Sequence, residues 1–192
     1  MDIKTLSLEH KIYKIDNVLT PSENASICDE FHYNEWRFDK AENFEDKYTY
    51  PWRGYLKNKN FSENCDIIGF NNVFINCAIN VKYKLQSLLK LKTLKLQRIN
   101  TNIQFFGMES SFHDDALDKE SWSFVYFPGP TWSTPWGGEF VVNTSPGDYL
   151  YCPYIPNTAV FFPSHLEHMG YSPNRLCNMP RLSVAFVYQE LR

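Results

Sequence analysis

After residue 95 the chain is built from short runs in which apolar and polar residues alternate, each closed by a proline or glycine cluster. The runs fall at 96–100, 102–106, 121–127, 139–142, 158–162 and 181–188. Between them stand Pro128-Gly129-Pro130, Gly137-Gly138, Ser145-Pro146-Gly147, the stretch from Pro153 to Pro156, and Pro173. A period of two sends successive side chains to opposite faces of a sheet. Proline cannot donate to a ladder, and both residues turn the chain. Many short strands separated by such turns predict an all-β sandwich or barrel, and a jelly roll fits the plan. The aromatic share of 17%, with 15 Phe and 12 Tyr, favours strands and apolar pockets over a helical bundle.

The first half differs. Residues 11–19 alternate like a strand. Thr20-Pro21-Ser22-Glu23 then reads as a helix start, with a Thr cap, Pro at the first helical position and Glu23 closing a capping box. This helix should run to about His32. Residues 34–60 carry scattered aromatics (Trp36, Phe38, Tyr48, Tyr50, Trp52, Tyr55) and read as a strand with a mobile loop. Residues 62–90 hold the longest helical pattern, broken near Gly69-Phe70-Asn71-Asn72, where a separate helix should start. The expected fold is therefore α+β and mainly β: a double-stranded β-helix, or jelly roll, with N-terminal helices packed on one face. The chain of 192 residues, 43% of them hydrophobic, can bury one sizeable core. We read 1–192 as one domain, with 1–95 as helical cover and lid and 96–192 as the jelly-roll core.

A net charge of −3 gives no reason to expect nucleic acid as a partner. The lysines from Lys82 to Lys95 read as a solvated helix face. Cys28, Cys65, Cys77, Cys152 and Cys177 are odd in number, widely spaced and without a CxxC pair. Neither a zinc ribbon nor a disulfide framework is expected. The start Met1-Asp2-Ile3-Lys4 has no apolar signal core, and no apolar run is long enough to span a bilayer. The expectation is a soluble cytoplasmic protein, monomer or homodimer, with no membrane partner.

His113-Asp114-Asp115 and the later His165 and His168 supply metal-ligand residue types. On a strand, His113 and Asp115 would share a face and Asp114 would point away. Two imidazoles and one carboxylate cover one face of an octahedral metal and leave three positions open, as in non-haem Fe(II) oxygenases. Zinc could occupy the same set, but no HExxH helix accompanies it. Arg181 opens the run Arg-Leu-Ser-Val-Ala-Phe-Val-Tyr, and its guanidinium suits a carboxylate. Alone, each of these residues also has a plain structural reading as a surface histidine or a salt-bridged strand end.

Several pieces occur together and in order. Asn102-Ile103-Gln104-Phe105-Phe106-Gly107 leads into Ser111-Phe112-His113-Asp114-Asp115. Phe124-Val125-Tyr126-Phe127 and Trp136-Gly137-Gly138-Glu139-Phe140 follow. Asn157-Thr158-Ala159-Val160-Phe161-Phe162-Pro163-Ser164, then His168, then Arg181-Leu182-Ser183-Val184-Ala185-Phe186 complete the series. In this order, residues 96–190 resemble the Fe(II)- and 2-oxoglutarate-dependent dioxygenases, in particular their prolyl 4-hydroxylase-like branch. The resemblance implies His113, Asp115 and His168 as iron ligands, with His165 outside the set. It implies Arg181, Ser183 and Tyr126 around the distal carboxylate of the 2-oxoglutarate co-substrate, with ascorbate as an accessory reductant. Trp132, Trp136 and Gln104 are candidate substrate contacts, and the aromatic 34–60 segment is a candidate lid. The implied reaction is hydroxylation of an unactivated C–H, first of all on a prolyl residue of a peptide or protein. Hydroxylation of a free amino acid or other small metabolite, and a non-enzymatic cupin-like metal-binding protein, are the alternatives. The chain departs from the family pattern in one place. His168 and Arg181 are thirteen residues apart, more than is common there, which makes Arg175 a rival for the carboxylate.

Overall fold

The computed structural model describes residues 1–37, 55–56 and 72–191. In chain order the strands are β1 (Asp2–Ser7), β2 (Ile12–Asp16), β3 (Trp36–Arg37), β4 (Tyr55–Leu56), β5 (Leu94–Gln104), β6 (Ser121–Phe127), β7 (Phe140–Ser145), β8 (Asp148–Cys152), β9 (Thr158–Pro163), β10 (His168–Gly170) and β11 (Arg181–Glu190). The helices are α1 (Pro21–Tyr33) and α2 (Asn72–Leu89). A six-stranded sheet runs in the order β1-β2-β9-β6-β11-β5, and a three-stranded sheet in the order β10-β7-β8. The pairings within both sheets are antiparallel. This is the jelly-roll plan expected from the alternation.

The large sheet is buried on both faces, which explains why β6, Ser121–Phe127, is buried at every position. One face carries Trp122, Phe124 and Tyr126 of β6, Ala159 and Phe161 of β9, and Val184, Phe186 and Tyr188 of β11. Ile27 and Phe31 of α1, and Phe74, Ala78, Val81 and Leu85 of α2, pack into the same cluster. Those spacings of three and four place each set on one side of its helix. The Tyr188 hydroxyl donates to the Ala78 carbonyl at 2.8 Å, tying α2 to β11. The opposite face carries Val125, Phe127, Val160, Phe162 and Ala185 and meets Phe140, Val142 and Cys152 of the small sheet. A one-residue step along any of these strands therefore changes which core a side chain enters.

The start of α1 has the expected chemistry. The Thr20 hydroxyl accepts from the Glu23 amide, and Glu23 Oε2 accepts from the Thr20 amide, with Pro at the first turn. Some elements are longer or additional. The two runs at 96–100 and 102–106 form one strand, β5, and the unexpected strands β1, β8 and β10 complete the sheets. The segment with His113 is not a continuous strand. His113 makes a single antiparallel bridge with His168. The early part of the 62–90 helical pattern and the lid aromatics Tyr48, Tyr50 and Trp52 lie outside the described residues. No helix among the described residues is long and apolar enough to cross a membrane. Cys28, Cys77, Cys152 and Cys177 are free thiols, and burial pushes Cys77 and Cys152 up to about 12, so neither is a thiolate at neutral pH.

Candidate metal centre and co-substrate pocket

A cavity of about 540 Å³ opens between the sheets, and His113, Asp115, His168, Arg181 and Ser183 all line it. Its volume lies in the range of small-molecule sites. The ligand atoms of His113, Asp115 and His168 fall within 4.8 Å of one another. Backbone pairing makes this meeting. His113 and His168 exchange both main-chain hydrogen bonds, at 3.1 and 2.8 Å. The Asp115 and Ala116 amides both donate to the Ser164 carbonyl. The pairing of an irregular segment with β10 and the turn before it therefore does what strand alternation was expected to do.

Each imidazole has a fixed tautomer. His113 Nδ1 lies 3.0 Å from the Ser111 carbonyl, and His168 Nδ1 lies 3.0 Å from the Leu166 carbonyl. A carbonyl only accepts, so both Nδ1 atoms carry the proton and the lone pair is on Nε2. The His113 and His168 rings stand 4.5 Å apart, and His168 Nε2 is 3.6 Å from Asp115 Oδ2. Burial drives His168 down to about 4 against the pull of Asp115, so it is neutral at pH 7. Burial would raise the Asp115 carboxyl, but His168, Arg98 and the Ser123 hydroxyl outweigh it and hold it below the usual carboxylate value. A neutral imidazole and an ionised carboxylate are the protonation states a divalent metal requires. Asp114, expected to point away, is exposed but also lines the cavity, whereas His165 is exposed and outside the lining.

Arg181 lies at the other end of the cavity, 2% exposed. Its Nε donates to the Gly138 carbonyl at 2.8 Å and its Nη1 to Gln104 Oε1 at 2.9 Å. Phe127 and Tyr154 present their rings to the guanidinium at 5.4 and 5.3 Å. Burial lowers Arg181 to about 10, so it remains charged at neutral pH. Its Nη2 is buried and has no hydrogen-bond partner. A buried, charged, unpartnered donor is costly, and a ligand carboxylate would satisfy it. Ser183, two residues along β11 on the same face, is buried and takes a long hydrogen bond, 3.4 Å, from the Asn102 amide. Arg175 is exposed and lies outside the cavity lining.

Four expected residues stand elsewhere or act otherwise. Tyr126 is a correction: it belongs to the helix-facing core, pairs with Val184, and is absent from the cavity lining. Its hydroxyl donates to Asn24 Oδ1 at 2.6 Å and also approaches Asn157 Oδ1 at 3.3 Å. Strand parity is the reason, because Val125, the neighbour of Tyr126 along β6, lines the cavity. Trp132 and Trp136 are also absent from the lining. Trp132 meets Tyr154 at a tilt, with ring centroids 4.4 Å apart, and donates to the Gly137 carbonyl, while Trp136 meets Trp132 edge-on, so both buttress the Arg181 end. Gln104 lines the cavity, but its amide is fully engaged. It donates to the Met108 and Gly170 carbonyls and accepts from Arg181.

The residues that were missed lie on β5. Arg98, Asn100 and Asn102 line the cavity in step with the expected Gln104, at every second position, while Ile99, Thr101 and Ile103 are buried. The signal was legible as polar residues in a period of two within an otherwise apolar strand. Ser123 and Ser164 were missed as well. Ser123 Oγ donates to Asp115 Oδ2 at 2.6 Å and lies 2.8 Å from Ser164 Oγ.

Solved structures give the fold a place. A prolyl-4-hydroxylase from Pseudomonas putida superposes with a TM-score of 0.62 at 15% identity, covering 95% of this chain and 94% of its own. A prolyl hydroxylase from Trichoplax adhaerens, solved with a hypoxia inducible factor oxygen degradation domain peptide fragment, gives 0.68 at 12% identity over 94% and 84%. The fold is that of the 2-oxoglutarate- and Fe(II)-dependent oxygenases. HygX from Streptomyces hygroscopicus, solved with nickel, 2-oxoglutarate and hygromycin B bound, has the same fold, with a TM-score of 0.65 at 12% identity over 96% and 88%. No family model matches the sequence, and no curated protein does.

Proposed function

We propose that this protein is an Fe(II)- and 2-oxoglutarate-dependent oxygenase that hydroxylates an unactivated C–H bond. The observation that carries the proposal is the pairing, in one cavity, of a His–Asp–His set with an unpartnered buried guanidinium nitrogen. His113, Asp115 and His168 would hold the metal. Arg181 would receive the distal carboxylate of 2-oxoglutarate, with Ser183 beside it. Bound there with oxygen, the metal and co-substrate supply the oxidising chemistry and yield succinate, carbon dioxide and a hydroxylated product. The chain itself fixes both imidazole tautomers, keeps Asp115 ionised and holds the carboxylate anchor rigid between two aromatic rings. Such prepositioning is what a protein contributes around a reactive cofactor.

The leading substrate is a prolyl residue in a peptide or protein, supported by the sequence resemblance and by the prolyl hydroxylases among the structures of like fold. A second reading, a small polar metabolite, is favoured by the side of the cavity away from Arg181. Arg98, Asn100, Asp114 and Glu167 make that side polar. The test is aerobic incubation with Fe(II) and 2-oxoglutarate, measuring succinate. Succinate formation that a proline-containing peptide stimulates supports the first reading, and stimulation by small polar compounds alone supports the second. No metal-dependent succinate under any condition would refute the oxygenase assignment and leave a metal-binding protein.

A further inference from the structure

We infer that Arg98 is a positioning residue for the metal, fixing Asp115 as a one-oxygen ligand before the ion arrives. The inference rests on the metal role proposed above for Asp115. The two carboxylate oxygens of Asp115 have separate partners. Arg98 Nη2 donates to Oδ1 at 2.6 Å and also to the Asp115 main-chain carbonyl at 3.2 Å. Ser123 Oγ donates to Oδ2 at 2.6 Å, and this is the oxygen that lies 3.6 Å from His168 Nε2. A guanidinium fork commonly spans both oxygens of a carboxylate. Here a single nitrogen grips one side-chain oxygen and the residue's own carbonyl, which ties the carboxylate orientation to the backbone. Arg98 occupies Oδ1, while Oδ2, which accepts from Ser123 and lies nearest His168, keeps a second lone pair for the metal.

Charge supports the same reading. The Asp115 side chain is 7% exposed, and its carboxylate lies against the Arg98 guanidinium on one side and the Ser123 hydroxyl on the other. A buried charge needs a partner, and Arg98 supplies it. One effect opposes this, since a guanidinium also repels an incoming divalent cation. Two observations limit that repulsion. The Arg98 side chain is 33% exposed and so screened by solvent. It also sits on Oδ1, the oxygen away from the imidazoles, with the carboxylate charge between it and the ion. Preorganisation therefore outweighs repulsion, and Arg98 strengthens metal binding. Arg98 stands opposite Val187 on β11 and lines the cavity, with its Nε buried and without a partner.

The experiment is titration of the full chain with Mn(II), free of oxygen and of 2-oxoglutarate, for the wild type, Arg98→Ala, Arg98→Gln and Arg98→Lys. Loss of an outer partner of a metal ligand typically weakens binding about 10- to 100-fold. That loss is expected for Arg98→Ala, with Arg98→Lys recovering part of it. The infrared carboxylate bands of the Mn(II) complex should shift from one-oxygen toward two-oxygen coordination in Arg98→Ala and Arg98→Gln. A residue that only braces the fold would lower the melting temperature of the metal-free protein without changing the carboxylate bands. If the wild type binds Mn(II) and the variants that fold match it within about twofold, with unchanged bands, this inference fails and the oxygenase proposal stands. If the wild type binds no divalent metal, the oxygenase proposal fails and takes this inference with it.

Discussion

Gly170→Ala isolates the carboxylate anchor from the metal. Gly170 lies two residues past His168 on β10, so both face the cavity and line it. A Cβ added at Gly170 would stand 3.0 Å from Arg181 Nη1, 3.0 Å from Nη2 and 3.1 Å from Cζ. The backbone there needs no left-handed conformation, so the substitution acts through that contact alone. To reach ordinary van der Waals separation the guanidinium must move by about 0.5 Å. It has little freedom to move, held by Gly138 and Gln104 and flanked by Phe127 and Tyr154. The displacement should cost one hydrogen bond to a charged group, about 1.5–3 kcal/mol. At 1.4 kcal/mol per tenfold, 2-oxoglutarate binding should weaken about 10- to 150-fold. The assay is anaerobic calorimetric titration of the Fe(II)-loaded variant with 2-oxoglutarate, beside a separate Fe(II) titration. Fe(II) affinity should be unchanged. Unaltered 2-oxoglutarate affinity would refute the idea that Arg181 is rigidly held as its anchor, and a parallel loss of Fe(II) would show that the two ends of the pocket are not separable.

Arg181→Ala should raise the 2-oxoglutarate requirement far more than Arg175→Ala in a succinate assay, and a reversed ranking would move the anchor into the 171–180 loop. Tyr126→Phe should cost about 1–2 kcal/mol in a denaturant melt, the value of a hydrogen bond lost from a buried partner, while 2-oxoglutarate affinity stays as in the wild type. A large affinity loss would return Tyr126 to the pocket. The metal-free protein should also lose stability on acidification. His168 is held at about 4 against an ordinary value of 6.5, so the unfolded chain binds its proton first as pH falls. Stability is then fully present above about pH 6.5 and declines toward pH 4, by about 3 kcal/mol from this group. Asp115, held low, adds a loss in the same direction at lower pH. Urea melts of the metal-free protein from pH 7 to pH 4 would check it, and a flat profile would mean that His168 is not desolvated as the geometry implies.

The sequence made much of the fold legible where its logic is local. The Thr20–Glu23 capping box is complete within four residues, and it starts α1 as read. The runs at 121–127 and 181–188 mark β6 and β11 as strands, although each carries a core on both faces. What was not legible depends on pairing. β10 has three residues and owes its place to partners on β7 and to the bridge with His113. No three-residue stretch announces that. Tyr126 shows how parity errors arise: a tyrosine in a strand beside the pocket is as compatible with one face as the other until the register with Val184 is known. Arg98 was passed over because the residue it serves, Asp115, is seventeen positions away and reached across the fold.

The central claim is that one cavity holds both a metal and a keto acid. Its most direct test is anaerobic addition of Fe(II) and then 2-oxoglutarate to the metal-free protein, followed by visible absorption. A keto acid chelated to iron in such a site gives a weak charge-transfer band. The band should appear in the wild type and be absent in His113→Ala. Iron binding without the band would contradict the claim.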